Sequence, residues 1–312
     1  MPEKCRILLF IGCRSDEGLS TPVLNRLEND DFFASHVQTL YASDFKKTFG
    51  LIDDILEDDI DLVICVADRL EMYAAAVASY INNIPIAHMY AGVVVPKHPT
   101  KDDVFRHSIS LMSDIQFVES KKAMLNLEML FMSVKKKSNC HIVGITHLDD
   151  LEVDESLVPK GWYNLILYNP ITNKEKKEII EREIEDIKAW AGIGINKNVV
   201  IGSNPDPWFW REGETPPEES PIYLRIKKEY NSKTTFYKNL PRTQFLGLLK
   251  NCQKFITNSS SALYEAPDFL EEEQIINIGI RQEDRTPIDI TMTGASDKII
   301  KIIKEWWLEK NG

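Results

Sequence analysis

Two patterns of apolar positions alternate along this chain. Short runs of β-branched and other apolar residues are followed by longer segments whose apolar residues recur with the helical period of about 3.6 residues. This alternation predicts parallel strands covered by helices, a doubly wound α/β domain. In the first half the predicted strands are residues 6–11, 61–66, 84–89, 115–118 and 141–143, and the predicted helices are residues 21–27, 45–57 and 69–81.

The same alternation begins again after an acidic, irregular stretch, residues 149–160, which runs into Pro159-Lys160-Gly161. We therefore predict two Rossmann-like doubly wound domains, residues 1–156 and residues 157–295. In the second domain the predicted strands are residues 164–168, 198–201, 234–237, 254–257 and 274–278, and the first predicted helix is residues 174–191.

Two segments lie outside this alternation. The C-terminal segment, residues 296–312, has helical periodicity, and we expect it to cross back to the first domain because its apolar face has to pack on another element. That face carries Ile299, Ile300, Ile303, Trp306 and Trp307. Residues 203–223 are rich in proline and aromatic side chains, which predicts a long loop packed onto its own domain or, alternatively, a lid or contact surface.

Charge balance and cysteine content limit the classes of function. The chain has 312 residues with 37 basic and 48 acidic side chains, a net charge of −11, so it lacks the basic field that nucleic-acid binding needs. No apolar run is long enough to span a bilayer, which predicts a cytoplasmic protein without a membrane partner. The five cysteines are scattered and form no C-x-x-C pair, which indicates neither a zinc site nor a disulfide framework.

Polar side chains follow several predicted strands of the first domain. The first strand leads into a turn, residues 12–18, that contains Arg14 but is not the G-x-G-x-x-G fingerprint of dinucleotide binding. Arg14 is either a phosphate ligand or an exposed surface arginine. Asp68, Arg69 and Glu71 follow the strand that ends at residue 66. Asp68 either caps the next helix or, poised by a neighbouring arginine, transfers a proton.

A second set of titratable residues follows the strand that ends near His88. Asp102, Asp103, Arg106 and His107 lie in one helical region, where the i, i+4 spacing places Asp102 beside Arg106 and Asp103 beside His107. A cluster of acids and bases at a strand end is suited to acid–base chemistry. A surface ladder of ion pairs would have the same sequence pattern.

The second domain carries the residue types that bind a nucleoside diphosphate. The segment Asn258-Ser259-Ser260-Ser261 follows a predicted strand and starts a helix, so hydroxyl groups and backbone amides converge where a phosphate could lie. Glu265, one turn later, can accept hydrogen bonds from ribose hydroxyls. Serine with a downstream glutamate is also a capping arrangement. Arg281 and Arg285 follow the next strand and complete a predicted anion pocket.

The order of these motifs resembles the UDP-N-acetylglucosamine 2-epimerase family, and its hydrolysing branch in particular. The similarity spans nearly the whole chain in collinear order. The segments that carry it are Asp68-Arg69-Leu70-Glu71-Met72, Ile84-Pro85-Ile86-Ala87-His88, Arg106-His107-Ser108-Ile109, Asn239-Leu240-Pro241-Arg242, Asn258-Ser259-Ser260-Ser261 with Glu265-Ala266-Pro267, and Ile276-Asn277-Ile278-Gly279-Ile280-Arg281-Gln282 with Arg285.

The resemblance implies a GT-B-like fold, with a UDP-sugar in a central cleft between the two domains. In such enzymes a base removes the proton at sugar C2 while UDP leaves C1, and water or UDP then adds to the resulting glycal. The resemblance also implies a UDP-2-acetamido sugar, sialic-acid-like pathways that use N-acetylmannosamine or related sugars, no metal or other cofactor, and a homodimer.

Residue roles follow from the same resemblance. The implied catalytic residues are Asp68, Asp102 and Asp103, with Arg106 and His107 as positioning groups. The implied UDP-binding residues are Arg14, Ser259, Ser260, Glu265, Arg281 and Arg285. The implied sugar-side residues are Arg69, Glu71, His88, Asn169 and Asp206.

The chain departs from the family pattern on the sugar side. Where the family has His-x-x-Gly-Gly-Glu, the sixth position here is Val93, and where the hydrolysing branch has His-Pro-x-Thr, the first position is Asn169. A valine and a neutral amide cannot transfer protons. The activity therefore depends on a replacement, for which Asp16, Glu17 and His98 are candidates. We predict a divergent UDP-sugar 2-epimerase; the alternatives are a UDP-sugar-binding protein without chemistry and a GT-B-type glycosyltransferase.

Overall fold

A computed structural model gives the fold. It describes residues 4–12, 14–39, 49–50, 52, 54, 59–94, 101–169, 177–192, 195–202, 233–280, 282 and 293–312. Most of the predicted helix at residues 45–57 and the proline-rich segment at residues 203–223 lie outside these ranges.

A six-stranded parallel sheet forms the centre of the first half. Its strands are β1 (Cys5–Ile11), β2 (Phe33–Thr39), β3 (Leu62–Val66), β4 (Ile86–Met89), β5 (Ile115–Val118) and β6 (Cys140–Ile142), in the order β2-β1-β3-β4-β5-β6. The associated helices are α1 (Arg14–Glu28), α2 (Leu70–Ile81), α3 (Lys101–Met112) and α4 (Lys121–Val134). The central strands are buried on both faces, which explains why they are almost continuously apolar.

A five-stranded parallel sheet forms the centre of the second half. Its strands are β7 (Asn164–Leu167), β8 (Asn198–Ile201), β9 (Thr234–Tyr237), β10 (Lys254–Thr257) and β11 (Ile275–Asn277), in the order β11-β10-β7-β8-β9. Its helices are α5 (Lys177–Ala191), α6 (Arg242–Asn251) and the single turn α7 (Ser261–Tyr264). The predicted α/β class with two doubly wound sheets is confirmed.

The strand order defines a switch point in each sheet. In the first sheet the chain runs outward in both directions from β1, so that β1 and β3 flank the switch point; in the second sheet β7 and β10 flank it. Ligands of open parallel sheets bind outside the carboxyl ends of the strands at such a point. A ligand site is therefore expected at the residues that follow β1, β3, β7 and β10.

Contacts divide the chain into two units, Met1–Asp150 with Ile288–Gly312, and Leu151–Pro287. The division lies after Asp150, whereas the sequence placed it after residue 156. The intervening residues belong with the second unit because Val153 and Leu157 pack against its core, and because the Asp154 amide donates to the Thr243 carbonyl at 3.0 Å.

The C-terminal helix α8 (Ala295–Asn311) belongs to the first unit. Ile299 and Ile303 are fully buried in the core cluster that contains β1 and β3, with Trp306 and Trp307 packed at its edge. Lys304 forms an ion pair with Asp30. No helix among the described residues is long and apolar enough to cross a bilayer.

The start of α8 is held by a carboxylate from a distant part of the chain. Asp149 accepts hydrogen bonds from the backbone amides of Gly294, at 2.8 Å, and Ser296, at 2.7 Å. Arg26 of α1 joins the same region through ion pairs with Asp150 and Asp297, both at 2.6 Å. The segment where the chain leaves the first unit is thus bonded to the start of α8, near where the chain returns to that unit.

Replacing Asp149 with alanine is expected to lower the free energy of unfolding by about 1–3 kcal/mol, because one buried and one partly buried amide lose their acceptor. Denaturant unfolding measures this loss. Asp149→Asn, which keeps one acceptor oxygen, should lose less. An alanine variant as stable as the wild type would show that Asp149 does not hold the helix.

Candidate functional site

The segment after β3 turns sharply before α2 begins. Ala67 has a φ of 60°, in the left-handed region, and its amide donates to the Met89 carbonyl at 3.0 Å. This turn presents Asp68 and Arg69 at the carboxyl end of β3, beside the switch point. The helix cap is Arg69, without a side-chain hydrogen bond. The alternative that Asp68 caps this helix is therefore wrong.

Asp68 forms an ion pair with Arg106 of α3. The same guanidinium lies 3.1 Å from Asp103 Oδ1 and donates to the Val93 carbonyl at 2.8 Å. Asp103 and Arg106 are each 6% exposed, so this is a buried cluster, and the alternative of a surface ion-pair ladder is wrong for this pair. Within α3 the acid that pairs with Arg106 in this cluster is Asp103, at i, i+3, whereas the i, i+4 spacing had predicted Asp102 as its neighbour.

His107 lies next to this cluster in sequence. Burial, followed by the positive charge of Arg106, lowers the pKa of its imidazole, while the charge of Asp103 acts in the opposite direction. Its Nδ1 is buried and has no hydrogen-bond partner among the described residues. Burial and Arg106 therefore favour the neutral form of the His107 imidazole, and the Asp103 carboxylate favours the charged form.

Arg69 and Glu71 form a second ion pair at this end of the sheet. Arg69 Nη2 lies 3.2 Å from Glu71 Oε1, and Glu71 is only 2% exposed. Arg69 also reaches β1, because a Cβ on Gly12 would lie 3.5 Å from its Nε and 2.9 Å from Asp16 Oδ2. Asp16 accepts from the Gly12 amide at 3.1 Å. The ends of β1 and β3 are thus brought together by charged side chains.

His88 is fully buried at the end of β4, and both of its ring nitrogens are engaged by the protein. Nε2 lies 2.7 Å from the Ala67 carbonyl, and Nδ1 lies 2.9 Å from Ser110 Oγ. Burial lowers its pKa to about 4, although the bond to Ala67 opposes the shift. Both ring nitrogens are thus bonded to protein atoms, and this arrangement lends no support to the prediction that His88 lies on the sugar side.

The ends of β7 and β10 are joined by a pair of asparagines. The Asn258 side chain accepts from the Asn169 amide at 2.7 Å and donates to the Asn169 carbonyl at 2.6 Å. Gln282 Nε2 donates to the Asn258 carbonyl at 2.8 Å. Asn258 therefore fixes the two backbone segments that flank the switch point of the second sheet.

The serine-rich turn follows directly after Asn258. The Ser259 amide donates to Thr257 Oγ1 at 2.9 Å, and Ser259 Oγ lies 3.3 Å from both the amide and the hydroxyl of Ser261. Ser260 precedes the four-residue helix α7 and makes no capping hydrogen bond with its side chain. The capping alternative is therefore wrong for Ser260, whose side chain is half-buried.

Glu265 lies one turn after the serines, with Arg242 of α6 beside it. Arg242 Nε is 3.5 Å from Glu265 Oε1, and the carboxylate side chain is 15% exposed. Arg242 lies in one of the segments that carry the family resemblance, but it was not predicted as a site residue. Ser110 and Gln282 were also not predicted. Their partners are distant in sequence, so no local pattern indicated these contacts.

Several predicted residues lie outside what the structure describes: the Arg14 side chain, Asp206, Arg281 and Arg285. Asp68, Asp103 and Arg106 are brought into one cluster, and Ser259, Ser260 and Glu265 into one turn. Among the described residues there is no group of three or more histidine, cysteine, aspartate or glutamate side chains that could hold a metal ion.

Comparisons with known proteins identify the family of this chain. The sequence profile described as UDP-N-acetylglucosamine 2-epimerase matches residues 27–307. The GDP/UDP-N,N′-diacetylbacillosamine 2-epimerase (hydrolyzing) of Campylobacter jejuni is 28% identical over 279 residues, which cover 85% of this chain and 66% of that protein. The chain thus spans slightly less than two thirds of that relative's length. The UDP-N,N′-diacetylbacillosamine 2-epimerase (hydrolyzing) of Legionella pneumophila is 24% identical over 354 residues, covering 96% of this chain and 88% of that protein.

The fold is also shared with solved structures. The S. aureus MnaA–UDP co-structure superposes with a TM-score of 0.72 at 16% identity and covers 97% of this chain and 96% of that chain. At this identity the likeness shows the fold alone. The family profile, in contrast, matches most of the sequence in collinear order. The chain therefore belongs to the UDP-N-acetylglucosamine 2-epimerase family.

Proposed function

We propose that this protein inverts C2 of a UDP-2-acetamido sugar. A base takes the C2 hydrogen as a proton, the C2–H electron pair forms the C1=C2 double bond, and the C1–O bond to UDP breaks. Water then adds its oxygen to C1 and a proton is delivered to C2 on the opposite face, giving the free epimer and UDP. The hydrolysing outcome is supported by the names of the two relatives; re-addition of UDP is the alternative.

The observation that carries this proposal is the buried cluster of Asp68, Asp103 and Arg106 at the carboxyl end of β3. Asp68 is its more accessible carboxylate, with a side chain 19% exposed against 8% for Asp103, and we assign it the role of base. Asp102 and Asp103 are the candidates for the second acid, with Arg106 and His107 as positioning groups. Acid–base groups contribute about 10²–10⁴ each in rate.

We assign nucleotide binding to the second unit. Ser259 and Ser260 would bind the diphosphate, and Glu265, held by Arg242, would accept the ribose hydroxyls. Arginine side chains would stabilise the charge that grows on UDP as it leaves; the candidates are Arg14, Arg281 and Arg285. Arg69, Glu71, Asn169 and Asp206 remain candidates for the sugar side.

Glu265→Ala is expected to weaken UDP binding by about 10–100-fold, the effect of losing hydrogen bonds to a charged acceptor. Calorimetry with UDP and 2′-deoxy-UDP measures it. The variant should also lose the preference for UDP over the deoxy ligand. Glu155→Ala is the matched control, because Glu155 is an exposed partner of Lys250 in the same unit. Unchanged UDP affinity would contradict the ribose assignment.

Product analysis in ¹⁸O-labelled water tests the activity itself, with UDP-N-acetylglucosamine and UDP-N,N′-diacetylbacillosamine as substrates. We expect free 2-epimeric sugar and UDP without ¹⁸O, because elimination breaks the C1–O bond rather than a P–O bond. Label in the UDP phosphates would contradict the elimination. UDP release only when a sugar acceptor is added would favour a transferase instead.

A second candidate function is UDP-sugar binding without chemistry. It is favoured by His88, whose imidazole is fully occupied by the protein, and by Val93 and Asn169, which stand where the resemblance implies a carboxylate and an imidazole. Tight binding of the intact UDP-sugar with no product would support this candidate.

A further inference from the structure

His88 is a buried imidazole that the proposed chemistry does not use. It lies between the backbone of the two elements that supply Asp68 and Arg106. We propose that His88 is a positioning residue that sets the geometry of the Asp68–Arg106 pair. This inference rests on the proposed function for its catalytic meaning, and its structural part can be tested separately.

The first link runs from His88 to Ala67. A backbone carbonyl can only accept, so the Ala67 oxygen at 2.7 Å requires the hydrogen on His88 Nε2. Ala67 is held in the left-handed region, at a φ of 60°, which a residue with a Cβ adopts only at a steric cost. The bond from His88 compensates part of that cost. Because Ala67 immediately precedes Asp68, its conformation determines where the carboxylate points.

The second link runs from His88 to α3. The ring is neutral and has its hydrogen on Nε2, so Nδ1 accepts a hydrogen bond from the Ser110 hydroxyl at 2.9 Å. Ser110 Oγ also lies 3.0 Å from the carbonyl oxygen of Arg106, one helical turn earlier, but its single hydrogen is donated to Nδ1 in this arrangement. Ser110 and Arg106 lie on consecutive turns of α3, so the bond to Ser110 connects His88 to the helix that carries the guanidinium.

The hydrogen bonds to Ala67 and to Ser110 are made by the same imidazole ring. His88 touches the residue before Asp68 through one nitrogen and the helix that carries Arg106 through the other, while Asp68 and Arg106 pair with each other. Reaction geometry is sensitive to such support, since a displacement of about 1 Å can cost on the order of 10²-fold in rate. A buried histidine with both nitrogens satisfied can transmit position without contacting substrate.

Two substitutions separate the links. Gln at position 88 places its amide nitrogen near the position of Nε2 and keeps the donor to Ala67, whereas Asn places its oxygen near Nδ1 and keeps the acceptor for Ser110. Asn is shorter than histidine, and both side chains leave part of the ring volume unfilled. We expect His88→Asn to lower turnover about 10–100-fold, the range of lost supporting contacts, and His88→Gln to lower it only a few-fold. KM and UDP affinity should be unchanged in both.

Ala67→Gly provides the rescue. Glycine adopts a positive φ without a Cβ penalty, so it should restore much of the turnover that His88→Asn loses, while having little effect in the wild-type background. The proposal would be overturned if His88→Asn and His88→Gln lost turnover equally and both bound UDP more weakly. It would also be overturned if Ala67→Gly restored no turnover to His88→Asn.

Melting temperatures of four proteins test the link between His88 and Ala67 without catalysis: the wild type, His88→Asn, Ala67→Gly and the double variant of the last two. His88→Asn should lower the melting temperature more in the Ala67 background than in the glycine background. If the wild type turns over no substrate, the proposed function is wrong. The difference between the two melting-temperature shifts still tests whether His88 supports Ala67. Equal shifts in the two backgrounds would overturn the link even in an active enzyme.

Discussion

Asp68→Asn is expected to lower the rate of hydrogen exchange at sugar C2 by about 10²–10⁴, the contribution of one acid–base group. The amide keeps the size of the carboxylate and its place beside Arg106 but cannot accept the C2 proton. UDP affinity should be unchanged, because the nucleotide is assigned to the second unit. Deuterium incorporation at C2, followed by NMR in deuterated water, measures the rate, and calorimetry measures the affinity.

Asp61→Asn is the matched control for this variant. Asp61 flanks the same strand, β3, but at its amino end, where it pairs with Arg6 at 3.1 Å. The control should exchange at the wild-type rate. An Asp68→Asn protein that exchanges as fast as the Asp61→Asn protein would remove Asp68 from the mechanism.

Arg106→Leu is expected to lower the free energy of unfolding by about 3–5 kcal/mol, because it leaves two carboxylates in a buried cluster without their cation. Asp103 is 6% exposed, and Asp68 pairs with the same guanidinium. Denaturant unfolding measures the loss. Arg6→Leu is the comparison, since the Arg6 side chain is 34% exposed and its partners are more accessible to water; its loss should be much smaller.

A compensating variant tests the stated cause. Adding Asp68→Asn and Asp103→Asn to Arg106→Leu removes the uncompensated charges, so the triple variant should be more stable than Arg106→Leu alone. A triple variant less stable than the single one would show that packing around Arg106, rather than its charge, maintains this cluster.

The strands buried on both faces could be predicted closely from sequence. Residues 115–118, 198–201 and 254–257 coincide with the largely buried strands β5, β8 and β10, because an apolar run bounded by polar residues has few alternatives. Residues 234–237 coincide with β9, although this edge strand is only partly buried. The edge strand β2 was missed. It contains Ser35, His36 and Gln38 between its apolar residues, and only one neighbour, β1, specifies it.

The candidate site was predicted as a set of residues but not as a set of contacts. Asp68 and Arg106 were both named, yet their pairing joins segments that are distant in sequence, which no local spacing indicates. The family resemblance implied a sugar-side role for His88, and its place at a strand end is equally compatible with a ligand contact and with a buried support. Only the partners of its two nitrogens distinguish these roles.

Deuterium exchange at C2 of the wild-type protein tests the central claim most directly, namely that the first unit removes the C2 proton of a bound UDP-2-acetamido sugar. In deuterated water, with UDP-N-acetylglucosamine or UDP-N,N′-diacetylbacillosamine, we predict that the product carries deuterium at C2 and that Asp68→Asn largely abolishes this incorporation. Epimeric product that retains its original C2 hydrogen, or no product although UDP is bound normally, would contradict the account.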